Sequence, residues 1–226
     1  IDDASMRITG DYQPKPDSLL ENSGFDSPDD DTVIKGWNAY TDDLFSVLDR
    51  NTEKTKDSIA SASIFNSDNK AVSYWEQALE NLDNKKDYLL SGYIFSDMIV
   101  SDDGGAAVFV EFYDREGNLI RTFRTAYVKG EQTDWTAFEM KLSFPENCYK
   151  MVVKAALVKS VGTAYFDEFT LAEYDETVHT AEQGVFENMF SIETEDEGTS
   201  VSGEAKVIPV FVWFIAGGVV ILLAAA

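Results

Sequence analysis

A single carboxylate interrupts an apolar pattern near residue 167. In a strand of period two, Tyr165, Asp167, Phe169 and Leu171 share one face, and only Asp167 is charged. A carboxylate on a buried face must be paired, hydrogen-bonded or bound to a metal ion, because its desolvation is otherwise costly. The pattern therefore predicts a buried partner for Asp167, and a bound cation is one of these three possibilities.

Aromatic side chains are the second feature with a chemistry of its own. Sugars bind to aromatic rings that cover their apolar faces, with a few fixed polar groups alongside. Tyr93 shares a predicted strand face with Leu89 and Phe95, and this face either lines an open sheet or lies under a loop. For each tyrosine the competing interpretation is burial with a bonded hydroxyl group. The predicted carbohydrate contacts are Tyr93, Trp75 and Tyr113, with Tyr74 and Tyr127 as further candidates.

The residues that most catalysis needs are scarce in this chain. It has one cysteine, Cys148, and one histidine, His179, so internal disulfides, histidine metal sites and Ser-His triads are excluded. Counting alone does not exclude a carboxylate pair for glycoside hydrolysis, but no motif indicates one. The formal charge of -23 argues against nucleic acids and anionic membrane surfaces as partners. We therefore predict a protein that is not an enzyme and does not bind nucleic acid.

Short alternating segments predict strands throughout the central part of the chain. Apolar residues alternate with polar ones through residues 138–144 and stop at Pro145, which is typical of a half-buried antiparallel strand. Residues 108–113 and 119–123 flank a polar segment that contains Gly117, which predicts a hairpin. Further strands are predicted at residues 88–95 and 151–157, and no helical rhythm separates them. This pattern favours an all-β jelly-roll sandwich of antiparallel strands.

Composition divides the chain into a globular part, a spacer and an apolar end. Residues 17–173 have the strand pattern, and residues 174–206 are acidic and typical of a solvated spacer. Residues 207–226 are uncharged and long enough to cross a lipid bilayer as a transmembrane helix. A lipid-anchor signal that uses the small residues near 200–203 is an alternative. Lys206 is the only adjacent charge and does not set the orientation, but the acidic domain favours an extracellular globular part.

The first six residues echo the end of the globular part. When Ile1 is aligned with Phe166, Asp2 and Asp3 align with Asp167 and Glu168, and Met6 aligns with Leu171. This match predicts that residues 1–16 are the end of a preceding repeat or a linker in a tandem array. The alternative is a chance match over a short segment.

Five segments, in order, resemble a known class of binding domain. They are similar to carbohydrate-binding modules of the xylanase- and cellulase-associated, galactose-binding-like jelly-roll type, and the match covers residues 18–173. The resemblance implies a β-sandwich fold and a sugar ligand. The segments read Asn22-Ser23-Gly24-Phe25-Asp26 with Gly36-Trp37, Tyr88-Leu89-Leu90-Ser91-Gly92-Tyr93, Asp134-Trp135-Thr136-Ala137-Phe138, Phe144-Pro145, and Gly162-Thr163-Ala164-Tyr165-Phe166-Asp167.

The resemblance also implies a structural calcium ion that ties the first strand to the last. The ligand positions correspond to Asp26 and Asp167 in this chain. The turn that helps the ion site in this class reads Asn66-Ser67-Asp68-Asn69-Lys70 here, which departs from the family pattern. The alternative is that Asp167 accepts hydrogen bonds from backbone amides or pairs with a lysine.

Together these features predict a calcium-stabilised carbohydrate-binding module on a cell surface, anchored by a single membrane span. Its expected partners are a polysaccharide or glycan and the lipid bilayer. The alternative function is a spacer or adhesion domain of a tandem-repeat surface protein with no sugar ligand. In both cases Trp37 and Trp135 are predicted to be core residues.

Overall fold

The computed structural model describes residues 18–28 and 33–174. These residues form ten β-strands, which confirms the predicted all-β class. Within them, no helix is long and apolar enough to cross a membrane. The predicted repeat end (1–16) and membrane span (207–226) lie outside the described residues, as does all of the predicted spacer (174–206) except Tyr174.

Along the chain the strands cross repeatedly between two sheets, and only β2–β3 and β6–β7 are consecutive strands of the same sheet. The predicted hairpin is formed by β6 and β7, and the predicted strands at 88–95, 138–144 and 151–157 correspond to β5, β8 and β9. In chain order the strands are β1 (Asn38–Thr41), β2 (Val47–Asn51), β3 (Ser61–Asn66), β4 (Val72–Glu80), β5 (Asp87–Val100), β6 (Gly105–Tyr113), β7 (Leu119–Arg124), β8 (Thr136–Ser143), β9 (Lys150–Val158) and β10 (Val161–Glu173).

Each sheet has five antiparallel strands, as the sandwich prediction requires. The front sheet has the order β1-β4-β9-β6-β7, and the back sheet has the order β2-β3-β10-β5-β8. Strands that neighbour each other in a sheet are mostly distant in the chain, since β9 lies between β4 and β6 and β10 lies between β3 and β5. Each sheet therefore presents one face to the core and one outer face.

The core fills the space between the sheets. Alternate residues of most strands point into it, as period two requires, whereas all four residues of β1 are exposed. Trp75 and Val153 contribute from the front sheet, and Ile64, Leu90 and Phe166 contribute from the back sheet, all at most 2% exposed. The apolar burial of these side chains is the main stabilising contribution to such a fold.

The opening segment, residues 18–28, packs against β10. The Leu19 amide donates to the Leu171 carbonyl at 2.7 Å, and the Phe169 amide donates to the Ser23 carbonyl at 2.9 Å. Phe25 is fully buried, with its ring centroid 4.9 Å from Trp37 and 5.2 Å from Phe169. Trp37 is thus a core residue as predicted.

Trp135 differs from its prediction. It is partly exposed and lies outside the buried core cluster, with its ring centroid 5.7 Å from that of Phe95 on the outer side of the back sheet. The residue precedes β8 and is therefore not fixed by the alternation of that strand.

A bulge in β10 changes which residues share a face. The pairing with β5 shifts register between Asp167 and Thr170, and Glu168 has a φ of 56°. The extra residue of a bulge reverses the alternation beyond it. Phe169 and Leu171 therefore point into the core, whereas Tyr165 and Asp167 belong to the outer face. The prediction that these four side chains share one face is wrong for this reason.

Candidate functional site

Asp167 is buried on the outer side of the back sheet, beneath the β2–β3 loop (residues 52–60). Its side chain has no exposed surface. One carboxylate oxygen accepts the Lys56 amide at 2.8 Å and the Ser58 hydroxyl at 2.6 Å, and the other accepts the Glu168 amide at 2.7 Å. The predicted buried partner of Asp167 therefore includes two groups of this loop.

Asp26 holds the same loop from the opening segment. Its Oδ1 accepts the amides of Ile59 at 2.7 Å and Ala60 at 3.0 Å. The Arg50 guanidinium donates to the Asp26 carbonyl oxygen at 2.6 Å. The two carboxylates predicted as metal ligands thus fix neighbouring parts of one loop, and together they join the beginning and the end of the domain.

Burial governs the ionisation of both carboxyl groups. Desolvation raises the pKa of Asp26, against the opposing hydrogen bonds from Ala60 and Ile59. For Asp167, desolvation raises the pKa to about 7, although three hydrogen bonds favour the ionised form. The nearby Lys56 ammonium pairs with Asp57 at 3.2 Å instead. Among the ion pairs of the described residues, none brings a lysine or arginine to Asp167.

These two carboxylates fit a calcium ion in chemistry but do not form a complete ligand set. No group of three Asp, Glu, His or Cys side chains within residues 18–28 and 33–174 is placed to hold a metal ion. Calcium binds six to eight oxygens, and backbone carbonyls and waters often supply several of them. Oδ2 of Asp26 accepts no hydrogen bond from the described part of the chain and is available as a ligand. A divalent ion here would also offset the cost of burying Asp167.

The outer face of the front sheet carries a second set of polar and aromatic side chains. Register fixes their positions, since Tyr40 lies opposite Tyr74 and Glu76 lies opposite Lys154. Glu111 follows on β6, two residues before Tyr113. We call this set the front-face cluster, which comprises Tyr40, Tyr74, Glu76, Glu111, Tyr113 and Lys154.

Two tyrosines form an aromatic step at one side of this face. The rings of Tyr40 and Tyr74 are stacked, with centroids 4.7 Å apart and an interplanar angle of 20°. Tyr40 is 47% exposed, so one side of the stack is open to solvent. The Lys154 ammonium lies 4.4 Å from the Tyr74 ring centroid and restricts that ring.

Lys154 is the centre of the charged part of the cluster. Its ammonium group lies 2.8 Å from a Glu111 oxygen and 3.7 Å from a Glu76 oxygen. Desolvation acts to lower the pKa of Lys154, but the two carboxylates outweigh it and raise the pKa above its usual value. Lys154 therefore stays charged at neutral pH.

Tyr113 completes the cluster on β6. Its hydroxyl donates to Glu111. Burial, followed by the neighbouring carboxylate, raises the pKa of Tyr113 well above its usual value, so its hydroxyl stays protonated. The cluster thus combines an aromatic step with fixed donors and acceptors, which is an arrangement suited to binding.

The three predicted carbohydrate contacts occupy three different environments. Trp75 is 2% exposed and its indole N–H donates to the Ser63 carbonyl at 3.2 Å, so a ligand cannot reach its ring and the prediction for it is corrected. Tyr113 lies in the front-face cluster. Tyr93 lies on the outer face of the back sheet, with the Lys56 ammonium 5.2 Å from its ring centroid. Of the two arrangements predicted for this face, an open sheet or a face covered by a loop, the structure has the second.

The prediction missed Tyr40, Glu111 and Lys154. Glu111 and Lys154 have a signal in the sequence, because each occupies an outward position between buried residues of its strand. Tyr40 has none of this kind, since all four residues of β1 are exposed. Lys154 lies between Val153 and Ala155, both fully buried. What the sequence does not show is that β1, β4, β9 and β6 are neighbours, and only this order brings the side chains together.

Comparison with known proteins gives structural matches only. No protein-family model and no curated protein matches the chain. Among solved structures, the enzymatically active domain of tailspike protein 4 from bacteriophage CBA120 aligns with a TM-score of 0.55 at 11% identity, over 70% of this chain and 21% of that chain. An arabinose-bound GH51 α-L-arabinofuranosidase aligns with a TM-score of 0.50 at 16% identity, over 70% of this chain and 26% of that chain.

Carbohydrate-binding modules also occur among the matched structures. The CBM22-1 xylan-binding domain from Paenibacillus barcinonensis has a TM-score of 0.49 at 14% identity, over 67% of this chain and 91% of that chain. The chain spans about a fifth to a quarter of the length of the two enzymes. At these identities the two matches with TM-scores of 0.50 or more show the fold alone, which is a sandwich of two antiparallel sheets.

Proposed function

We propose that the protein is a non-catalytic carbohydrate-binding module whose ligand lies across the front-face cluster. The observation that carries this proposal is the stacked pair of Tyr40 and Tyr74, open on one side and adjacent to the fixed charges around Lys154. Aromatic rings cover the apolar faces of sugar rings, and fixed polar groups bind their hydroxyls. Tyr113 extends the same surface along β6.

The chemistry of the cluster favours a neutral polysaccharide. Lys154 is engaged by two carboxylates, so the cluster offers acceptors and donors without an excess of positive charge. The whole chain has a formal charge of -23, which repels anionic polymers. Sugar hydroxyls both donate and accept, and therefore match this mixture of groups.

The same contacts favour binding over catalysis. Glycoside hydrolysis needs one carboxyl group that is protonated and another that is free to act as a base or nucleophile. Glu111 is bound by both Lys154 and Tyr113, and Lys154 also faces Glu76. These interactions occupy both carboxylates as acceptors, so neither is free to act as a base or nucleophile.

The proposal extends to calcium and to the membrane. Asp26 and Asp167 would supply carboxylate oxygens to a calcium ion that fixes the β2–β3 loop, and the raised pKa of Asp167 supports this idea. The apolar segment 207–226 would anchor the domain at the cell surface. The discriminating tests are calorimetry with and without a chelator for the ion, and partition of the full chain into lipid vesicles for the anchor.

A glycan array that includes xylan, galactan and other neutral polysaccharides tests the ligand directly. The full chain should bind at least one neutral polysaccharide, and the double variant Tyr40→Ala, Tyr74→Ala should lose that binding while it keeps the fold. If the folded chain binds no glycan in the array, the spacer or adhesion alternative replaces the proposal.

A further inference from the structure

Exposed apolar side chains concentrate at one end of the back sheet. Five of them come from the β1–β2 turn and from three strands, and their side chains are 39% to 75% exposed. An exposed apolar patch of this kind is commonly an interaction site. We call it the distal apolar patch, and its members are Phe45 (75% exposed), Val47 (54%), Phe65 (39%), Met98 (68%) and Val100 (71%).

Strand register makes these residues a surface rather than a scattered set. Val47 on edge strand β2 lies directly opposite Phe65 on β3, so both side chains belong to the outer face. Val100 on β5 lies opposite Val161 on β10. Because β2, β3, β10 and β5 are consecutive in the back sheet, the patch spans the width of four strands, with the partly buried Val161 and Thr163 of β10 between its members on β3 and β5.

The patch lies at the end of the domain that is farther from Ser18 and Tyr174, the first and last residues that the structure describes. β10 begins beside it at Val161 and continues to Glu173. The chain enters where Leu19 pairs with Leu171 and leaves where Tyr174 pairs with Asp87. At about 3.3 Å per residue, the length of β10 separates the patch from both points by roughly 30–40 Å. The patch therefore lies at the opposite end of the described domain from Ser18 and Tyr174.

Negative charge surrounds the patch. The turns at this end carry three lysines, of which Lys129 already donates to the carbonyls of Ser101 and Asp102 at 3.3 and 3.1 Å. Lys70 and Lys159 are the other two. Acidic side chains predominate in the same turns and at the adjoining strand ends, at Asp42, Asp43, Asp68, Asp97, Asp102 and Asp103.

We propose that the distal apolar patch docks a protein segment whose apolar side chains are flanked by lysine or arginine. Apolar residues at the centre of an interface and complementary charge at its rim are the usual arrangement of protein contacts. A second copy of this chain is disfavoured, because each copy has a formal charge of -23. The chain's own segment 174–206 is disfavoured for the same reason, since it is acidic. This surface is separate from the front-face cluster and adds a second binding activity to the protein.

The test uses the full chain and synthetic peptides of defined charge. A Leu/Lys amphipathic peptide should bind in fluorescence anisotropy at physiological salt, whereas a Leu/Glu peptide with the same leucine pattern should not. The double variant Phe65→Ser, Val100→Ser should weaken Leu/Lys binding about tenfold or more. The control variant Leu119→Ser, Ile120→Ser removes exposed apolar residues of β7 and should bind as the wild type does.

Two outcomes overturn the proposal. Equal affinity of the wild type and the Phe65→Ser, Val100→Ser variant for the Leu/Lys peptide would show that charge alone attracts it. Self-association of the wild type in sedimentation, lost in that variant, would make the patch an interface between copies. If the double variant does not fold, Phe45→Ser in the turn before β2 tests the same surface, with a smaller but measurable loss of affinity. Glycan binding should be unchanged in all patch variants, so the two activities fail independently.

Discussion

The two outer faces of this sandwich are both formed by alternate residues of the strands, but the front face is accessible and part of the back face is covered by a loop. On the front sheet, tyrosines and an ion cluster remain accessible, with Tyr40 nearly half exposed. On the back sheet, the β2–β3 loop covers Tyr93, Phe95 and Asp167, and the Lys54 ammonium lies 3.5 Å from the Phe95 ring centroid. The difference between the faces is set by what lies over each sheet, not by the residue types in the strands.

This contrast separates stability from recognition. Asp167 has no exposed surface and holds loop donors, so its contacts contribute mainly to the fold. On the front face, the side chains of Lys154 and Glu111 are 15% and 17% exposed, whereas Glu76 is 33% exposed and lies farther from the ammonium group, so the Glu76 pair contributes little to stability. We therefore expect changes at the loop site to affect unfolding and changes at the front-face cluster to affect ligand binding.

The largest effect on stability is expected for Asp167→Ala. The substitution leaves the Lys56 and Glu168 amides and the Ser58 hydroxyl without their acceptor, and each buried group left unpaired costs about 1–3 kcal/mol. Removal of a costly buried charge offsets part of this loss. We therefore expect the free energy of unfolding, measured by chemical denaturation, to fall by about 2–4 kcal/mol. The matched control, Glu76→Ala on the front face, should change the free energy of unfolding by less than about 1 kcal/mol. Similar losses for both variants would contradict the division of roles.

Chelation should have the next largest effect. If calcium binds at Asp26 and Asp167, saturating ion stabilises the fold by about 2–3 kcal/mol, and EDTA should lower the Tm by several degrees. Calorimetry of Asp167→Ala provides the control, because that variant should show no response to EDTA. An unchanged Tm of the wild type after addition of EDTA would show that calcium does not stabilise the fold.

The pH dependence of the stability of the calcium-free protein also distinguishes the loop site from the front-face cluster. The pKa of Asp167 is about 7 in the folded protein, above its usual value. At a pH between the pKa of Asp167 in the folded protein and its ordinary value in the unfolded chain, only the folded state keeps the proton on this carboxyl group. The contribution of Asp167 to the free energy of unfolding therefore rises as pH falls from about 7 towards 4. The slope is at most about 1.4 kcal/mol per pH unit. Asp167→Asn should lack this component in denaturant titrations at several pH values, whereas Glu111→Gln should keep it.

A smaller effect on stability is expected for Glu111→Gln. This change weakens the ion pair with Lys154 and the hydrogen bond from Tyr113, yet it preserves the shape of the side chain. Because this pair is largely buried and its loss leaves the Lys154 ammonium with Glu76 alone, we expect the free energy of unfolding to fall by about 1–2 kcal/mol. We also expect a measurable loss of glycan affinity. A change in stability without a change in affinity would place Glu111 in the fold rather than in the binding surface.

The sequence was informative where one strand alone determines the outcome. The alternation at Phe138, Met140 and Leu142 identified β8, and the polar segment around Gly117 identified the turn between β6 and β7. The reversal after Asp167 was not predictable by alternation, because a glutamate at φ 56° has no sequence signature. The front-face cluster depends on pairing between distant strands, so its residues were identifiable singly but not as a site.

Isothermal titration with a polysaccharide identified on the array decides whether the glycan binds to the front face. The experiment compares the Tyr40→Ala, Tyr74→Ala variant with Tyr93→Ala. Tyr93 lies on the opposite face, and the sequence predicts it as a carbohydrate contact. We expect the front-face variant to lose affinity for the polysaccharide by about tenfold or more, whereas Tyr93→Ala should bind as the wild type does. Loss of binding in Tyr93→Ala, with retention in the front-face variant, would contradict the account and move the glycan site to the back sheet.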